Sequence, residues 1–226
     1  MKKRIVITGV TRGLGRAMVE GMIVEGHTLC GCGRNAEHIA KLSAAYGEPH
    51  RFDAVDITDP AAVEMWASAI LADGAPDLLI NNAAVINSPG KLWEIDPARW
   101  RSIFEINVLG MVNMLRPVIP AMIQKGSGMI VNMSSGWGRF SAENFSAYCA
   151  SKAAVEMLSD TLAKELPDGV GVVTLSPGGV NTDMGADAGN AGLGHSIDEW
   201  ALRAVPYILS LTPDQRGEKL SVPEPE

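Results

Sequence analysis

The chain has 226 residues, a formal net charge of −7 and hydrophobic residues at 46% of its positions. This length fits one α/β domain with a sizeable core. The negative charge disfavours a nucleic-acid groove or an anionic membrane surface, and we see no run of the ~20 apolar residues that a membrane span needs. Three cysteines are an odd number for a disulfide set, and four scattered histidines show no metal-ligand spacing. We therefore expect a cytoplasmic protein with reduced thiols, no metal, no membrane partner and no nucleic acid.

Short β-branched runs alternate with helical patterns along the chain. The predicted strands are residues 4–8, 27–31, 50–53, 78–81, 129–134, 171–175 and 219–222. The predicted helices are residues 13–25, 37–46, 60–72, 97–124, 146–166 and 197–211. Strands separated by helices indicate βαβ units, and their continuous apolar character indicates a sheet covered on both faces. The predicted fold class is α/β, a doubly wound parallel sheet (Rossmann fold) of about seven strands with helices on both faces.

The domain organisation follows from the absence of repeats and linkers, because residues 1–226 then form one predicted domain. Residues 185–194 are rich in glycine and alanine and show no periodicity. We therefore predict a flexible loop around residues 183–206 at the carboxyl edge of the sheet, where it would border a substrate.

A glycine-rich turn follows the first predicted strand and precedes the first helix. Its sequence is Thr8-Gly9-Val10-Thr11-Arg12-Gly13-Leu14-Gly15. Glycines permit a tight turn and a close backbone approach, and a helix N-terminus offers free N–H groups and a partial positive charge. Glycines also form ordinary turns, but at the first strand-to-helix junction of an α/β chain they favour a pyrophosphate site.

The residues after the second predicted strand discriminate between the two nicotinamide cofactors. An NAD site usually has a carboxylate there for the ribose 2′-hydroxyl, whereas this chain has Cys32-Gly33-Arg34-Asn35. Arg34 and Arg12 offer two guanidinium groups that could clamp a 2′-phosphate by charge-assisted hydrogen bonds. Either arginine alone is commonly a solvated surface residue, but together, with the acid missing, they predict NADP(H).

A tyrosine and a lysine four residues apart form the candidate acid/base pair. Tyr148 and Lys152 share one face of a predicted helix. A lysine charge at ~5 Å is worth about 3 kcal/mol at an effective dielectric of ~20, so we expect it to lower the tyrosine pKa by roughly two units. The alternative is an amphipathic helix start with a snorkelling lysine. Upstream, Ser134 or Ser135 could hydrogen-bond a substrate oxygen, and both could be plain turn residues.

The combination of these motifs resembles the short-chain dehydrogenase/reductases, and the matching pieces cover nearly the whole chain. The pieces are Thr8-Gly-x-x-x-Gly-x-Gly15, Asp56-Ile57, Asn81-Asn82-Ala83-Ala84, Asn107, Ser135, Tyr148-x-x-x-Lys152 and Pro177-Gly178-x-x-x-Thr182. The chain departs from the family at Ala84, which replaces the usual glycine, and at residues 183–206, a compact region that implies a modest lid. The spacing of four between tyrosine and lysine differs from that of the enoyl reductases of this superfamily.

The resemblance implies a role for each matching residue. Ser135, rather than Ser134, takes the catalytic serine position, Tyr148 is the acid/base, and Lys152 lowers its pKa and binds the nicotinamide ribose. Asn107 would hold a water that links Lys152 to solvent. The predicted cofactor-binding residues are Thr8, Gly9, Thr11, Arg12, Gly13, Leu14, Gly15, Arg34, Asp56, Ile57, Asn82, Ala83, Tyr148, Lys152, Pro177, Gly178, Val180 and Thr182.

The expected function is that of an NADP(H)-dependent oxidoreductase, a carbonyl reductase or alcohol dehydrogenase with a Ser-Tyr-Lys-Asn catalytic set. Trp137, Phe140, Phe145 and Met184 are apolar candidates for contacting a small carbonyl or alcohol substrate, and each could equally be packing. The alternative function is an NADP(H)-binding regulatory module without turnover. The resemblance also implies a homodimer or homotetramer.

Overall fold

The computed structural model describes residues 1–189 and 192–225. Its strands are β1 (Arg4–Thr8), β2 (Thr28–Gly33), β3 (Arg51–Ala54), β4 (Leu78–Asn81), β5 (Gly128–Met133), β6 (Val170–Ser176) and β7 (Lys219–Ser221). Its α-helices are α1 (Gly13–Val24), α2 (Ala36–Tyr46), α3 (Pro60–Leu71), α4 (Pro97–Phe104), α5 (Gly110–Lys125), α6 (Ser146–Glu165), α7 (Asp183–Asp187) and α8 (Ile197–Ser210). A π-helical turn, Glu105–Leu109, joins α4 to α5, and 3-10 turns lie at Gly136–Gly138 and Pro213–Gln215.

The seven strands of the described residues form one sheet in which every pair is parallel, in the order β3-β2-β1-β4-β5-β6-β7. The predicted α/β class and doubly wound parallel sheet are therefore confirmed. The strand order reverses between β1 and β4, and ligands of such sheets bind outside the carboxyl ends of the strands at this point.

Both faces of the sheet are covered, which explains the continuous apolar character of the strands. Side chains alternate along a strand, so Ile5 and Ile7 of β1 belong to the core layer beneath α1, α2 and α8, while Val6 belongs to the layer beneath α3, α5 and α6. The resulting core is two apolar layers with the sheet between them. The carboxyl edge of the sheet is left free to form a site.

The predicted helix at residues 97–124 is interrupted by the π-helical turn. Helical periodicity in a sequence does not reveal one inserted residue, and such π-turns are frequent at functional sites. The whole helical segment Pro97–Lys125 has 29 residues and, by length and composition alone, is long and apolar enough to cross a membrane. This corrects the expectation that no stretch is apolar enough. A helix in the core of a soluble protein can have the same length and composition. Here, 44% of the most apolar stretch of the segment is buried.

The predicted loop around residues 183–206 contains two helical pieces. Thr182 caps the short helix α7, because its Oγ1 accepts a hydrogen bond of 3.1 Å from the Gly185 amide. Helix α8 begins within the same stretch with a capping box between Ser196 and Glu199. The helix predicted at residues 197–211 corresponds to α8, whereas α7 was not predicted and depends on the Thr182 cap. Residues 190 and 191 of the predicted loop lie outside the described residues.

Trp200 of α8 anchors the segment that follows β6. Its side chain is fully buried, and its Nε1 donates a hydrogen bond of 2.9 Å to the Pro177 carbonyl. We expect Trp200→Ala to lower the free energy of unfolding by about 3–5 kcal/mol, because it opens a large cavity. Urea unfolding followed by circular dichroism measures this loss. Trp93 is 81% exposed, so Trp93→Ala is the matched control and should change stability by no more than about 0.5 kcal/mol. Equal midpoints for the two variants would contradict this assignment.

Candidate active site

A cavity of about 450 Å³ lies at the carboxyl edge of the sheet, where the strand order reverses. Of the predicted site residues, it is lined by Gly9, Thr11, Arg12, Gly13, Leu14, Gly15, Arg34, Asp56, Ile57, Asn82, Ala83, Tyr148, Lys152, Pro177, Thr182 and Met184. The predicted residues that do not line it are Thr8, Asn107, Ser135, Trp137, Phe140, Phe145, Gly178 and Val180. The structure thus brings the glycine turn, the cofactor-discriminating arginine and the tyrosine-lysine pair to one cavity.

The glycine turn forms a concave backbone surface, called the glycine cradle here. Side chains in place of its glycines would fill it. Gly9 has a φ of +74°, which only glycine adopts without strain. A Cβ on Gly15 would lie 2.1 Å from the Gly9 carbonyl oxygen. Arg12 precedes α1 without a side-chain hydrogen bond to the helix, so the first amides of α1 keep their capacity to bind an anion. These features fit the pyrophosphate of a dinucleotide.

Thr8 and Asn82 join the ends of β1 and β4 behind this cradle. The Thr8 Oγ1 accepts hydrogen bonds of 3.1 Å from the amides of Asn82 and Ala83. The Asn82 Nδ2 donates to the carbonyls of Thr8 and Gly9 at 3.0 and 3.1 Å. Thr8 therefore supports the cavity wall from behind, and the prediction that it contacts the cofactor is not supported by this placement. Ala84 is not among the positive-φ residues of the described chain, so its methyl group causes no backbone strain.

Arg34 and Arg12 line the same cavity, together with His38 at the start of α2. The Arg12 guanidinium also forms an ion pair of 3.4 Å with Asp183 of α7, and both side chains are exposed. The two cations are thus in reach of one ligand, and Arg12 additionally connects the glycine turn to α7. Sequence reasoning missed Asp183, which directly follows Thr182, and His38, which lies four residues after Arg34.

Tyr148 and Lys152 project from the first turns of α6 and are both buried. The Lys152 Nζ lies 5.8 Å from the centroid of the Tyr148 ring and donates a hydrogen bond of 2.8 Å to the Met133 carbonyl at the end of β5. The i,i+4 spacing therefore places the two groups side by side at the cavity, as predicted.

Burial decides the ionisation of both groups. It raises the pKa of Tyr148 to about 12, and the hydrogen bond with Ser135 opposes this rise. Burial lowers the pKa of Lys152 to about 8, and the negative charge of Glu156 opposes this fall. The net direction of the Tyr148 pKa is therefore opposite to the expected fall of roughly two units, because the loss of water disfavours the charged form of the phenol.

The two candidate serines have different surroundings. Ser135 begins the 3-10 turn at Gly136–Gly138, where its Oγ accepts a hydrogen bond of 3.1 Å from the Trp137 amide, and it also hydrogen-bonds Tyr148. Ser134 lines the cavity, and its buried Oγ has no hydrogen-bond partner among the described residues. The geometry brings Ser135 to the tyrosine and leaves the Ser134 hydroxyl available to a ligand.

Asn107 lies in the π-helical turn and is buried behind the cavity. Its Oδ1 accepts from the Val85 amide at 2.8 Å, and its Nδ2 donates to the Val85 carbonyl and the Ser151 Oγ at 2.9 and 3.0 Å. Both amide hydrogens are thereby used. The side chain anchors the segment after β4 to α6, which leaves it no free donor for a relay water.

Three of the four substrate candidates form one apolar cluster with Tyr148. The cluster contains Trp137, Phe145 and Met184 with Ile86 and Ala188. The Trp137 ring lies 4.7 Å from the Phe145 centroid and 6.1 Å from that of Tyr148. Phe140 is the exception, because its ring is 62% exposed and packs over Gly136. The prediction of Phe140 as a substrate contact is therefore not supported by its position.

Comparisons with known proteins agree with this geometry. A family model described as short chain dehydrogenase matches residues 3–191. The NADPH-dependent pterin aldehyde reductase of Arabidopsis thaliana is 39% identical over 225 residues, which are 97% of this chain and 93% of that protein. A short-chain dehydrogenase structure from Streptomyces avermitilis has a TM-score of 0.85 at 30% identity and covers 99% of this chain and 89% of that one.

An alcohol dehydrogenase structure from Thermococcus sibiricus, complexed with 5-hydroxy-NADP, has a TM-score of 0.84 at 25% identity over the whole of both chains. The similarity therefore extends from the glycine turn through the tyrosine-lysine pair to the last strand. On the strength of the family match and the 39% identity, the chain belongs to the short-chain dehydrogenase/reductase family of oxidoreductases.

Proposed function

We propose that this protein is an NADP(H)-dependent reductase that interconverts a carbonyl compound and an alcohol, with Tyr148 as the proton donor or acceptor. The observation that carries the proposal is the buried Tyr148–Lys152 pair in the cavity that also contains the glycine cradle and Arg34. The NADPH dependence of the Arabidopsis relative supports the choice of cofactor. When bound, NADP(H) supplies or accepts the hydride of the reaction.

The chain's own residues handle the proton. Because the pKa of Tyr148 is raised to about 12, the phenol remains protonated at neutral pH and is suited to donate to a carbonyl oxygen. Ser135 holds the same oxygen through its hydroxyl. The Lys152 pKa of about 8 lies close to neutral pH, so this group can stabilise the tyrosinate and return a proton to it. A proton relay would connect Lys152 to solvent. We assign this relay to the backbone of the π-helical turn at Asn107.

The cofactor would lie along the cavity, with each end held by different chemistry. The first amides of α1 and the glycine turn would bind the pyrophosphate. Arg34 and Arg12 would bind the 2′-phosphate, which requires Arg12 to exchange its ion pair with Asp183 for the phosphate. Asp56 and Ile57 would border the adenine.

An aldehyde on a flat ring is the substrate class that we propose first. The Arabidopsis relative is described as acting on pterin aldehyde. In this chain, Trp137, Phe145 and Met184 form an apolar cluster beside Tyr148. Aromatic side chains favour flat ring ligands through stacked and edge contacts. The two observations together support a ring-bearing aldehyde over a small charged one.

Tyr148→Phe tests the mechanism. We expect turnover with NADPH and an aromatic aldehyde to fall by about 10²–10⁴-fold, because a general acid of this type contributes that much. NADPH affinity, measured by the change in cofactor fluorescence, should stay unchanged. Tyr207→Phe removes a hydroxyl from a residue that does not line the cavity, and it is the matched control. Near-normal turnover of Tyr148→Phe would remove the tyrosine from the mechanism.

Arg34→Asp tests the cofactor assignment. The change removes a charge-assisted contact and introduces a carboxylate that suits a ribose 2′-hydroxyl, so the ratio of kcat/KM for NADPH over NADH should fall by about 10–100-fold. Arg101→Asp, an exposed arginine of α4, gives the same charge change outside the cavity and should leave the ratio unaltered. An unchanged ratio in Arg34→Asp would contradict the proposed 2′-phosphate site.

We also propose that the protein is a dimer or tetramer that uses an apolar groove between α5 and α6. The groove is lined by Val112, Leu115, Arg116, Ile119, Pro120, Ile123, Leu158, Thr161, Leu162, Glu165 and Leu166. Ile123 is 43% exposed there, and Met157 nearby on α6 is 65% exposed. Apolar surface of this kind is characteristic of subunit interfaces.

Light scattering tests this assembly. The wild-type mass should be two or four times that of the chain, and Ile123→Glu should halve it, because a charge would be buried in the interface. Val24→Glu changes an equally apolar residue that is 85% exposed at the end of α1, and it should leave the mass unaltered. A monomeric wild type would refute the assembly.

A further inference from the structure

Residues 135–139, called the serine turn here, connect Ser135 to Arg139 through one 3-10 turn. The Gly138 amide donates a hydrogen bond of 2.9 Å to the Ser135 carbonyl, and the Arg139 amide donates one of 2.8 Å to the Gly136 carbonyl. Glycine restricts the backbone less than any other residue, and the turn contains two of them. The position of Ser135 therefore depends on how the two ends of the serine turn are held.

The sheet holds the first end. The amide of Ser134, directly before the turn, donates a hydrogen bond of 2.8 Å to the Leu175 carbonyl of β6. The Ser135 Oγ accepts one of 3.1 Å from the Trp137 amide inside the turn. The direction of the Ser135 hydroxyl is thus tied to the shape of the turn itself.

The Arg139 side chain holds the second end, because its guanidinium reaches three elements. Its Nε donates a hydrogen bond of 3.0 Å to the Glu156 Oε1 of α6. In β7, its Nη2 donates to the Leu220 carbonyl at 2.8 Å and its Nη1 to the Ser221 Oγ at 3.3 Å. Nη2 also donates to the Thr174 Oγ1 of β6 at 3.4 Å. A rigid planar fork of donors fixes this end against α6, β6 and β7 together.

Glu156 makes this anchor difficult to release. Only 5% of its side chain is exposed, and its Oε2 accepts a hydrogen bond of 2.8 Å from the Thr174 Oγ1. Removal of the cation from a buried ion pair leaves an uncompensated charge, which costs far more than the loss of an exposed pair. The departure of Arg139 from α6 is therefore strongly disfavoured.

The serine turn also lies directly against the backbone of α6. A Cβ on Gly138 would lie 2.9 Å from the Lys152 carbonyl carbon and oxygen, so only glycine permits this approach. The Trp137 ring centroid lies 6.1 Å from that of Tyr148, in an edge contact. A shift of the turn relative to α6 would therefore change the separation of the Ser135 and Tyr148 hydroxyls.

We propose that Arg139 and Glu156 are positioning residues for the Ser135 hydroxyl. Their ion pair anchors the serine turn to α6 and thereby sets where this hydroxyl lies relative to Tyr148. Neither Arg139 nor Glu156 lines the cavity, so both act through Ser135. The catalytic consequence rests on the function proposed above, whereas the order of the serine turn does not depend on turnover.

Arg139→Met tests the anchoring without any reaction. We expect the amides of residues 137–140 to exchange with deuterium about 10-fold faster, because the loss of charged hydrogen bonds lowers the free energy of opening the turn. Hydrogen exchange followed by mass spectrometry measures this change. Arg139→Lys keeps a cation for Glu156, but one ammonium cannot span α6 and β7, so exchange should rise by a smaller factor.

Asp160→Asn is the matched control. Asp160 of α6 forms an ion pair of 2.8 Å with Lys219 of β7. This variant loses another link between the same helix and strand without touching the serine turn, whose exchange should equal that of the wild type. Equal acceleration in Asp160→Asn and Arg139→Met would indicate a general loosening of β7 and would overturn the proposal.

A double-mutant cycle tests the catalytic part. Arg139→Met should lower kcat by about 10-fold and leave the KM for NADPH within about 2-fold of the wild-type value. In the Ser135→Ala background, the same change should lower kcat by less than about 2-fold, because the hydroxyl that Arg139 positions is already absent. A merely structural role predicts the same loss in both backgrounds.

Unchanged exchange of the serine turn in Arg139→Met, or equal losses of kcat in the two backgrounds, would also overturn the proposal. If the wild type shows no reductase activity, the exchange rates decide alone. Faster exchange in Arg139→Met and not in Asp160→Asn would then support the anchoring of the turn, although the proposed function would have failed.

Discussion

A buried ammonium group at Lys152 is the constraint around which the carboxyl edge of the sheet is arranged. Transfer of a charge into a protein interior is costly unless partners replace the lost water. Met133 provides a carbonyl from the end of β5, and Tyr148 provides a ring from the same helix as Lys152. The carbonyl comes from the sheet and the ring from α6, so the site forms only when these two elements are assembled.

The parallel sheet makes this assembly possible, because the carboxyl ends of its strands meet at one edge. The Thr8 and Asn82 hydrogen bonds fix the ends of β1 and β4 relative to each other, and the glycine cradle is built on that junction. Asn107 fastens the segment after β4 to α6 through Val85 and Ser151. The cofactor half and the proton-transfer half of the cavity are thus connected by short polar contacts at the sheet edge.

Much of this architecture is predictable from sequence because it depends on local patterns. The predicted bounds of β1 and β4 coincide with the observed ones. The i,i+4 spacing of Tyr148 and Lys152 correctly places them side by side, because helix geometry fixes that relation. The glycine turn is found at the predicted strand-to-helix junction.

The remaining features depend on contacts between distant residues. The sign of the Tyr148 pKa shift follows from desolvation, and a sequence does not contain the extent of burial. The Arg139–Glu156 pair joins residues 17 apart in the chain and is completed by Thr174. The exposed position of Phe140 is set by how its ring packs over Gly136. Sequence patterns identify such residues as polar or apolar and do not identify their partners.

The measurement that tests the central claim most directly is the loss of NADPH absorbance with purified protein and a panel of aromatic aldehydes, aliphatic aldehydes and ketones, with the alcohol product quantified. The account predicts that NADPH is consumed with at least one carbonyl compound and that one alcohol forms for each NADPH lost. Saturable NADPH binding with no consumption across the panel, and no NADPH formation from NADP⁺ with the matching alcohols, would contradict it. That result would indicate a cofactor-binding module without turnover.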